Sequence, residues 1–149
     1  HLRPRRQRQM CIRDRFFWAV KGRGAFCNNL RLRVSSRENL EDCMIGTGIP
    51  HKGMKGHEEY LPGLKTVMEN VCGVRRMGTA SLDLAYVAAG KYDGYWEKNL
   101  KLVDIAAGSL TVKEAGGKVT DFEGREEYLN SGRILATTFR IHDQLQRII

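Results

Sequence analysis

Residues with the chemistry of a ligand site are concentrated between positions 77 and 117. Gly78, Thr79 and Ala80 form a turn directly before the apolar segment SLDLAYVAA, which predicts a helix. The first N–H groups of a helix have no partner within it, and a glycine beside them allows close approach. The turn therefore suits an oxyanion or a hydroxyl oxygen. An ordinary helix cap explains the same residues about as well.

Three of the carboxylates in the same stretch bear on such a site. Glu97 ends the predicted strand GYWE, a position where α/β folds place ligand-binding groups. Asp104 is predicted to begin the helix DIAAGSLTVKEA, whose small residues permit close approach, although capping alone is a sufficient structural reason for an aspartate there. Carboxylate oxygens suit Mg²⁺ better than Zn²⁺. Asp83 is predicted to be a surface acid in the first turn of the earlier helix.

The elements that would position these groups follow an α/β pattern. Residues 16–34 alternate apolar and polar side chains around glycine and asparagine turns, which predicts a hairpin and a third strand. Residues 58–70 carry apolar side chains at spacings of three and four, which predicts a helix. Strands and helices then alternate, so we expect a sheet with helices packed on its faces. His51 and His57 are predicted to be exposed loop residues, since their spacing does not match a zinc site.

The composition limits the class of protein. The 149 residues are enough for one domain with a core. No segment approaches the roughly 18 apolar residues that cross a bilayer, so no membrane association is predicted. The four cysteines are far apart and form no CxxC pair, which favours reduced thiols in a cytoplasmic protein.

The positive charge is concentrated at the N-terminus. Residues 1–15 hold six arginines and one aspartate, which accounts for +5 of the net +8 and leaves +3 for the other 134 residues. Such an arm can neutralise nucleic-acid phosphates, but it shows no aromatic interleaving or motif. We therefore predict that residues 1–15 are a basic, disordered or non-native segment, and that residues 16–149 form the domain. The first residue, His1, suggests that the chain begins within a longer reading frame.

The motifs of residues 16–149 resemble the C-terminal half of the inositol monophosphatase family, in its bacterial inositol-1-monophosphatase type. The motifs, in family order and spacing, are GTGIPH, the RR before GTA, GTASLDLAYVAAGKYDGYWEKNLKLVDIAAG and VKEAGGKVTD. The resemblance implies the C-terminal part of a layered α/β/α/β/α sandwich, the sugar-phosphatase fold. It also implies Mg²⁺-dependent hydrolysis of small phosphate monoesters such as inositol 1-phosphate, inhibition by lithium, and a homodimer of the full-length parent.

The same resemblance assigns roles to single residues. Gly78, Thr79 and Ala80 match the turn whose backbone contacts substrate, and Glu97 matches the glutamate that hydrogen-bonds substrate hydroxyls. Asp104 matches a catalytic metal-ligand aspartate that also lies against the substrate. The family's tryptophan before that aspartate is Val103 here. The family's other metal ligands, an earlier glutamate and a D-P-x-D-G-T motif, have no counterpart in the 149 residues, so we expect this chain alone to have little or no activity.

Two alternatives stay open. Relatives of the same fold hydrolyse fructose 1,6-bisphosphate, histidinol phosphate or 3′-phosphoadenosine phosphates, and Glu97 favours a polyol without deciding among them. A different class is a non-catalytic module that binds RNA or the transcription machinery, since some bacterial members associate with that machinery and the arginine-rich arm suits RNA.

Overall fold

The first sheet is an antiparallel hairpin with an additional strand on each side. The computed structural model describes residues 15–149 and the backbone of residues 6–11. The strand order is β1-β2-β3-β4, and the strands are β1 (Arg6–Cys11), β2 (Arg15–Val20), β3 (Gly24–Cys27) and β4 (Leu30–Arg31). The hairpin and third strand predicted for residues 16–34 are confirmed, and the third strand is shorter than expected.

The backbone of residues 6–11 differs from the disorder predicted for residues 1–15. It forms β1, which pairs antiparallel with β2 from Arg6 opposite Val20 to Cys11 opposite Arg15. Residues 1–5 and 12–14 lie outside the described residues, so the structure does not test the prediction of disorder for them. The division into a foreign arm and a domain stays a prediction.

The second sheet has five strands and mixed direction. Its order is β6-β5-β7-β9-β8, with β5 parallel to β6 and β7, and β9 antiparallel to β7 and β8. The strands are β5 (Met44–Thr47), β6 (Gly73–Arg75), β7 (Gly94–Glu97), β8 (Lys118–Thr120) and β9 (Ile134–Thr137). The helices are α1 (His57–Asn70), α2 (Ala80–Ala88), α3 (Leu102–Glu114), α4 (Tyr128–Ser131) and α5 (His142–Gln146).

Helices cover both faces of this second sheet. Neighbouring side chains of a strand point to opposite faces, and on β9 Ile134 and Ala136 join one core while Leu135 joins the other. The first core lies between the two sheets and contains the buried residues of α2 and α3. The second core lies under α1 and α5, with Tyr60, Val67 and Leu145 as buried members. The predicted α/β class, with helices on the sheet faces, is confirmed.

Close contact between α2 and α3 fixes the element ends that form the site. A Cβ atom placed on Gly108 of α3 would lie 2.6 Å from Leu84 Cβ of α2, so only glycine fits there without movement. Leu84 and Ile105 are fully buried beside it, and burying a side chain of this size contributes about 1.5–3 kcal/mol. The two helices are therefore held together at their midpoints, which fixes the positions of their N-terminal ends.

In the described part of the chain, none of the helices has the length and apolar character required to cross a membrane. Cys27, Cys43 and Cys72 are free thiols, as predicted, and the side chain of Cys11 lies outside the described residues.

Candidate active site

The predicted site residues converge on one cavity. Gly78, Thr79, Ala80, Glu97 and Asp104 all line a cavity of about 340 Å³, hereafter the site cavity. Its other lining residues, which the sequence did not single out as ligand groups, are Gly48, Ile49, His51, Met54, Arg76, Ser81 and Leu100. The lining residues come from the loops after β5, β6 and β7, from the end of β7 and from the first turns of α2 and α3. The sheet order therefore brings together residues that are far apart in the sequence.

The turn before α2 presents backbone groups to the site cavity. Gly78 has a φ of 81°, which L side chains rarely adopt, and Thr79 is the N-cap of α2 in extended conformation. The Thr79 side chain makes no capping hydrogen bond, so the alternative explanation of this turn as an ordinary helix cap does not hold for that side chain. The first N–H groups of α2 therefore depend on solvent or a ligand, in the positive end of the helix dipole.

Glu97 is held in place by the backbone beneath it and by a tyrosine. A Cβ on Gly48 would lie 1.9 Å from the Glu97 carboxyl carbon, so the glycine after β5 makes room for this carboxylate. The Tyr95 hydroxyl donates a hydrogen bond to Glu97 Oε2. Burial raises the pKa of Glu97, while the Tyr95 hydrogen bond and the Arg76 charge oppose the increase. Gly48 and Tyr95 thus fix the orientation of Glu97.

Asp104 lies two residues further into α3 than predicted. α3 begins at Leu102, so Asp104 is its third residue, and its Oδ2 accepts the Lys101 backbone N–H at 3.0 Å. One carboxylate oxygen therefore caps the helix while the residue lines the site cavity. The neighbouring Val103 is 83% exposed, so the position that holds tryptophan in the family pattern is at the surface of this chain.

The prediction that Asp83 is a surface acid is wrong. Asp83 is 1% exposed, and its Oδ1 has no hydrogen-bond partner among the described residues. Burial, followed by the nearby Glu97 charge, raises its pKa to about 7, and Arg76 acts in the opposite direction. The helix α2 is enclosed on nearly every side, so its one acidic residue has no solvent-facing position. The sequence SLDLAYVAA does not reveal the burial of Asp83, because its polar residues do not repeat at a helical spacing that would mark a solvent-facing side.

The prediction that both histidines are exposed is confirmed, but the prediction that both lie in a loop is wrong for His57, which is the first residue of α1. His51 and His57 are both exposed, and each ring lies 3.0 Å from a backbone carbonyl, that of Lys52 and of Pro50 respectively. His51 nevertheless lines the site cavity, which its loop position did not reveal.

The described residues do not form a complete magnesium site. Two carboxylates, Glu97 and Asp104, line the site cavity, and each already accepts a hydrogen bond from the protein. Within residues 15–149, no group of three or more His, Cys, Asp or Glu side chains is placed to hold a metal ion. Octahedral Mg²⁺ needs further oxygen ligands, so the described residues alone do not complete the coordination of a catalytic ion.

Comparison with known proteins identifies the class of protein to which this fold belongs. The family model for the inositol monophosphatase family matches residues 9–149. The chain belongs to this family, as its motifs predicted.

Individual relatives agree with that assignment. The inositol-1-monophosphatase of Rhizobium meliloti is 50% identical over 136 residues, which is 91% of this chain and 51% of the relative. The Nus factor SuhB of Pseudomonas aeruginosa is 48% identical over 127 residues, 84% of this chain and 47% of the relative. The crystal structure of extragenic suppressor protein suhB from Bartonella henselae superposes on this chain with a TM-score of 0.87 and 52% sequence identity. The match covers 91% of this chain and 52% of the B. henselae chain. The chain spans about half the length of the relatives it matches.

Proposed function

We propose that this chain forms the substrate-facing half of a magnesium-dependent phosphate monoester hydrolase that converts inositol 1-phosphate to inositol and phosphate. The observation that carries the proposal is the convergence of Gly78, Thr79, Ala80, Glu97 and Asp104 on one cavity. The R. meliloti relative is an inositol-1-monophosphatase, which supports the choice of substrate.

Each group has a distinct chemical task in this proposal. The α2 N-terminus at Gly78–Ala80 supplies N–H donors for substrate oxygens. Glu97, oriented by Tyr95, accepts hydrogen bonds from ring hydroxyls of the polyol. Asp104 has a second carboxylate oxygen besides the one that caps α3, and that oxygen would be one metal ligand. The metal, when bound, supplies activation of water and charge stabilisation at phosphorus.

The remaining ligands belong to sequence outside the 149 residues. No D-P-x-D-G-T motif occurs in the chain, which spans about half of its relatives. Leu102 and Val103, beside Asp104, are 55% and 83% exposed, which is consistent with a further part of the parent covering this edge. We therefore propose that the chain alone has little or no activity, that the parent is lithium-sensitive, cytoplasmic and dimeric, and that Asp104 works only in the complete site.

The experiment measures Mg²⁺-dependent phosphate release from inositol 1-phosphate by this chain and by its full-length parent. The parent should turn over and the 149-residue chain should not. In the parent, Asp104→Asn should lower kcat/KM at least about 100-fold, a loss of about 2.7 kcal/mol of transition-state stabilisation. Asp42→Asn makes the same chemical change at an exposed position and should leave the rate unchanged. Robust turnover by the short chain would refute the half-site proposal, and an unaffected Asp104→Asn parent would refute the role of Asp104.

Substrate choice is tested with a panel on the same parent. Fructose 1,6-bisphosphate, histidinol phosphate and 3′-phosphoadenosine phosphate should be poorer substrates than inositol 1-phosphate. Glu97→Gln should raise KM for the polyol ester more than for a simple aryl phosphate, because only the polyol offers hydroxyls to this carboxylate. Equal effects on both would remove Glu97 from the polyol contact.

A second candidate function is binding to RNA or to the transcription machinery. The observation that favours it is the name Nus factor SuhB carried by the P. aeruginosa relative. RNA binding should then weaken with salt and should persist when the six arginines of residues 1–15 are replaced by glutamine. Loss of binding in that variant would show only the affinity of a basic segment for polyanions.

A further inference from the structure

A second cavity adjoins the site cavity and has a different character. Its volume is about 520 Å³, and Met54 lines both cavities. Among the described residues that line it, Lys55, Lys98 and Arg133 are basic and Glu59 is acidic, which gives a formal charge of +2. The others are Gly56, Asn99 and Ser131. We refer to it as the basic cavity.

Lys98 provides a cation in a fixed position. It follows directly after β7, its side chain is only 13% exposed, and its Nζ donates to Glu59 Oε2 at 2.8 Å. The ammonium group has three donors. It also donates to the Gly56 carbonyl oxygen at 3.5 Å, so one donor remains for a further acceptor. Glu59 is 68% exposed, and the Lys98 hydrogen bond lowers its pKa. The lysine is thus held in the wall by the strand and by a solvated partner.

Arg133 provides a donor that the protein leaves unused. It immediately precedes β9, with its guanidinium 4.8 Å from the Phe122 ring centroid and its Nη1 3.4 Å from Glu123 Oε1. Its Nε is buried and has no hydrogen-bond partner among the described residues. A buried donor without a partner is unfavourable, so the Arg133 guanidinium gains from an acceptor that its side chain can reach.

The start of α1 adds a weaker attraction for anions. Gly56, which lines the basic cavity, is the N-cap of this 14-residue helix and makes no side-chain capping bond. The helix dipole and its first N–H groups favour negative charge, although Glu58 and Glu59 in the first turn already satisfy part of that preference. The helix end therefore supports the cluster of cations without being sufficient alone.

We propose that the basic cavity is a second anion-binding site, which takes a small molecule carrying a phosphate-type oxyanion. Lys98 and Arg133 hold the oxyanion by charge-assisted hydrogen bonds, with Lys55 at the exposed side. A volume of about 520 Å³ exceeds that of a lone phosphate, so a small organic group fits beside it. The basic cavity is distinct from the proposed catalytic site, because none of the residues assigned to the catalytic site line the basic cavity.

The test titrates inorganic phosphate into the ¹⁵N-labelled chain at constant ionic strength and follows backbone amides. Saturable shifts are expected for Gly56, Asn99 and Ser131. Lys98→Met should raise the dissociation constant read from these amides about tenfold. Lys21→Met removes the same charge at an exposed hairpin turn and should leave it unchanged.

A charge-conserving variant isolates the unpaired donor. Arg133→Lys keeps the net charge but deletes the buried Nε–H, and it should weaken phosphate binding about tenfold by the same readout. Absence of saturable shifts at the three amides would overturn the proposal. So would equal weakening by Lys21→Met, because the attraction would then come from the overall charge. Asp104→Asn should not alter binding at the basic cavity, so failure of the catalytic proposal and failure of this one give different results.

Discussion

Acidification should destabilise the protein through a buried histidine that has no part in the proposed site. His142 is 1% exposed, its Nε2 lies 2.8 Å from Thr120 Oγ1, and its Nδ1 lies 2.7 Å from Thr137 Oγ1. The Thr120 hydroxyl donates to the Asp121 carbonyl at 2.7 Å, so its oxygen is left to accept from His142. His142 therefore carries its proton on Nε2, and Nδ1 accepts from the Thr137 hydroxyl.

The sign of the pH effect follows from this geometry. Burial, helped by the Lys118 charge, lowers the pKa of His142 from 6.5 to about 4. The folded state prefers the neutral ring, so its contribution is complete above pH 6.5 and is lost as the pH falls toward 4. A difference of that size corresponds to about 3 kcal/mol when fully lost. Between pH 7 and pH 4.5, linkage gives a loss of about 2.5 kcal/mol.

The assay is urea unfolding of the chain at several pH values, compared with His142→Gln. The variant lacks the titrating ring, so its free energy of unfolding should fall about 2.5 kcal/mol less than that of the unsubstituted 149-residue chain over the same pH range. All other carboxylates and histidines are common to both proteins. An NMR titration of the His142 ring gives the folded-state pKa directly. Equal pH dependence in the two proteins, or a folded-state pKa near 6.5, would refute the reasoning.

Two further predictions concern stability. Gly108→Ala should lower the free energy of unfolding by about 1–3 kcal/mol, because the new methyl group would overlap α2 at 2.6 Å, whereas Gly63→Ala in α1, with 3.3 Å of clearance, should cost less in the same urea assay. Arg37→Met should lower the melting temperature at least twice as much as Arg140→Met. Arg37 pairs at 3.2 Å with the fully buried Asp93, whereas both partners of the ion pair between Arg140 and Glu38 are exposed. Equal shifts of the melting temperature would contradict this.

Local sequence patterns were sufficient for many elements of the fold. The alternation in residues 16–34 and the apolar spacing in residues 58–70 correspond to the hairpin and to α1, because each pattern depends on neighbours a few residues away. β1 was not predicted, since its arginine-rich sequence has no apolar alternation and it forms by pairing with β2. The start of α3, two residues before Asp104, was also missed, because helix ends depend on local hydrogen bonds.

The candidate site divides in the same way. The types and order of Gly78, Thr79, Ala80, Glu97 and Asp104, together with the family resemblance, were evident from the sequence. The tertiary structure decided their convergence, because the site cavity depends on the order β6-β5-β7 and on the close packing of α2 against α3.

Residues whose role depends on their surroundings could not be found from the sequence. The sequence shows that residue 83 is an aspartate, but it does not show its burial. The enclosure of α2 in the folded chain removes Asp83 from water and raises its pKa to about 7. Lys98 lies within a family motif that gave it no role, and Arg133, 35 positions later, lies in none of the motifs. The antiparallel pairing of β7 with β9 places both at one cavity. The sequence by itself determined which chemical groups are present and which segments form helices and strands. The tertiary structure decided which groups lose water and which meet, because desolvation and contact between distant residues exist only in the folded chain.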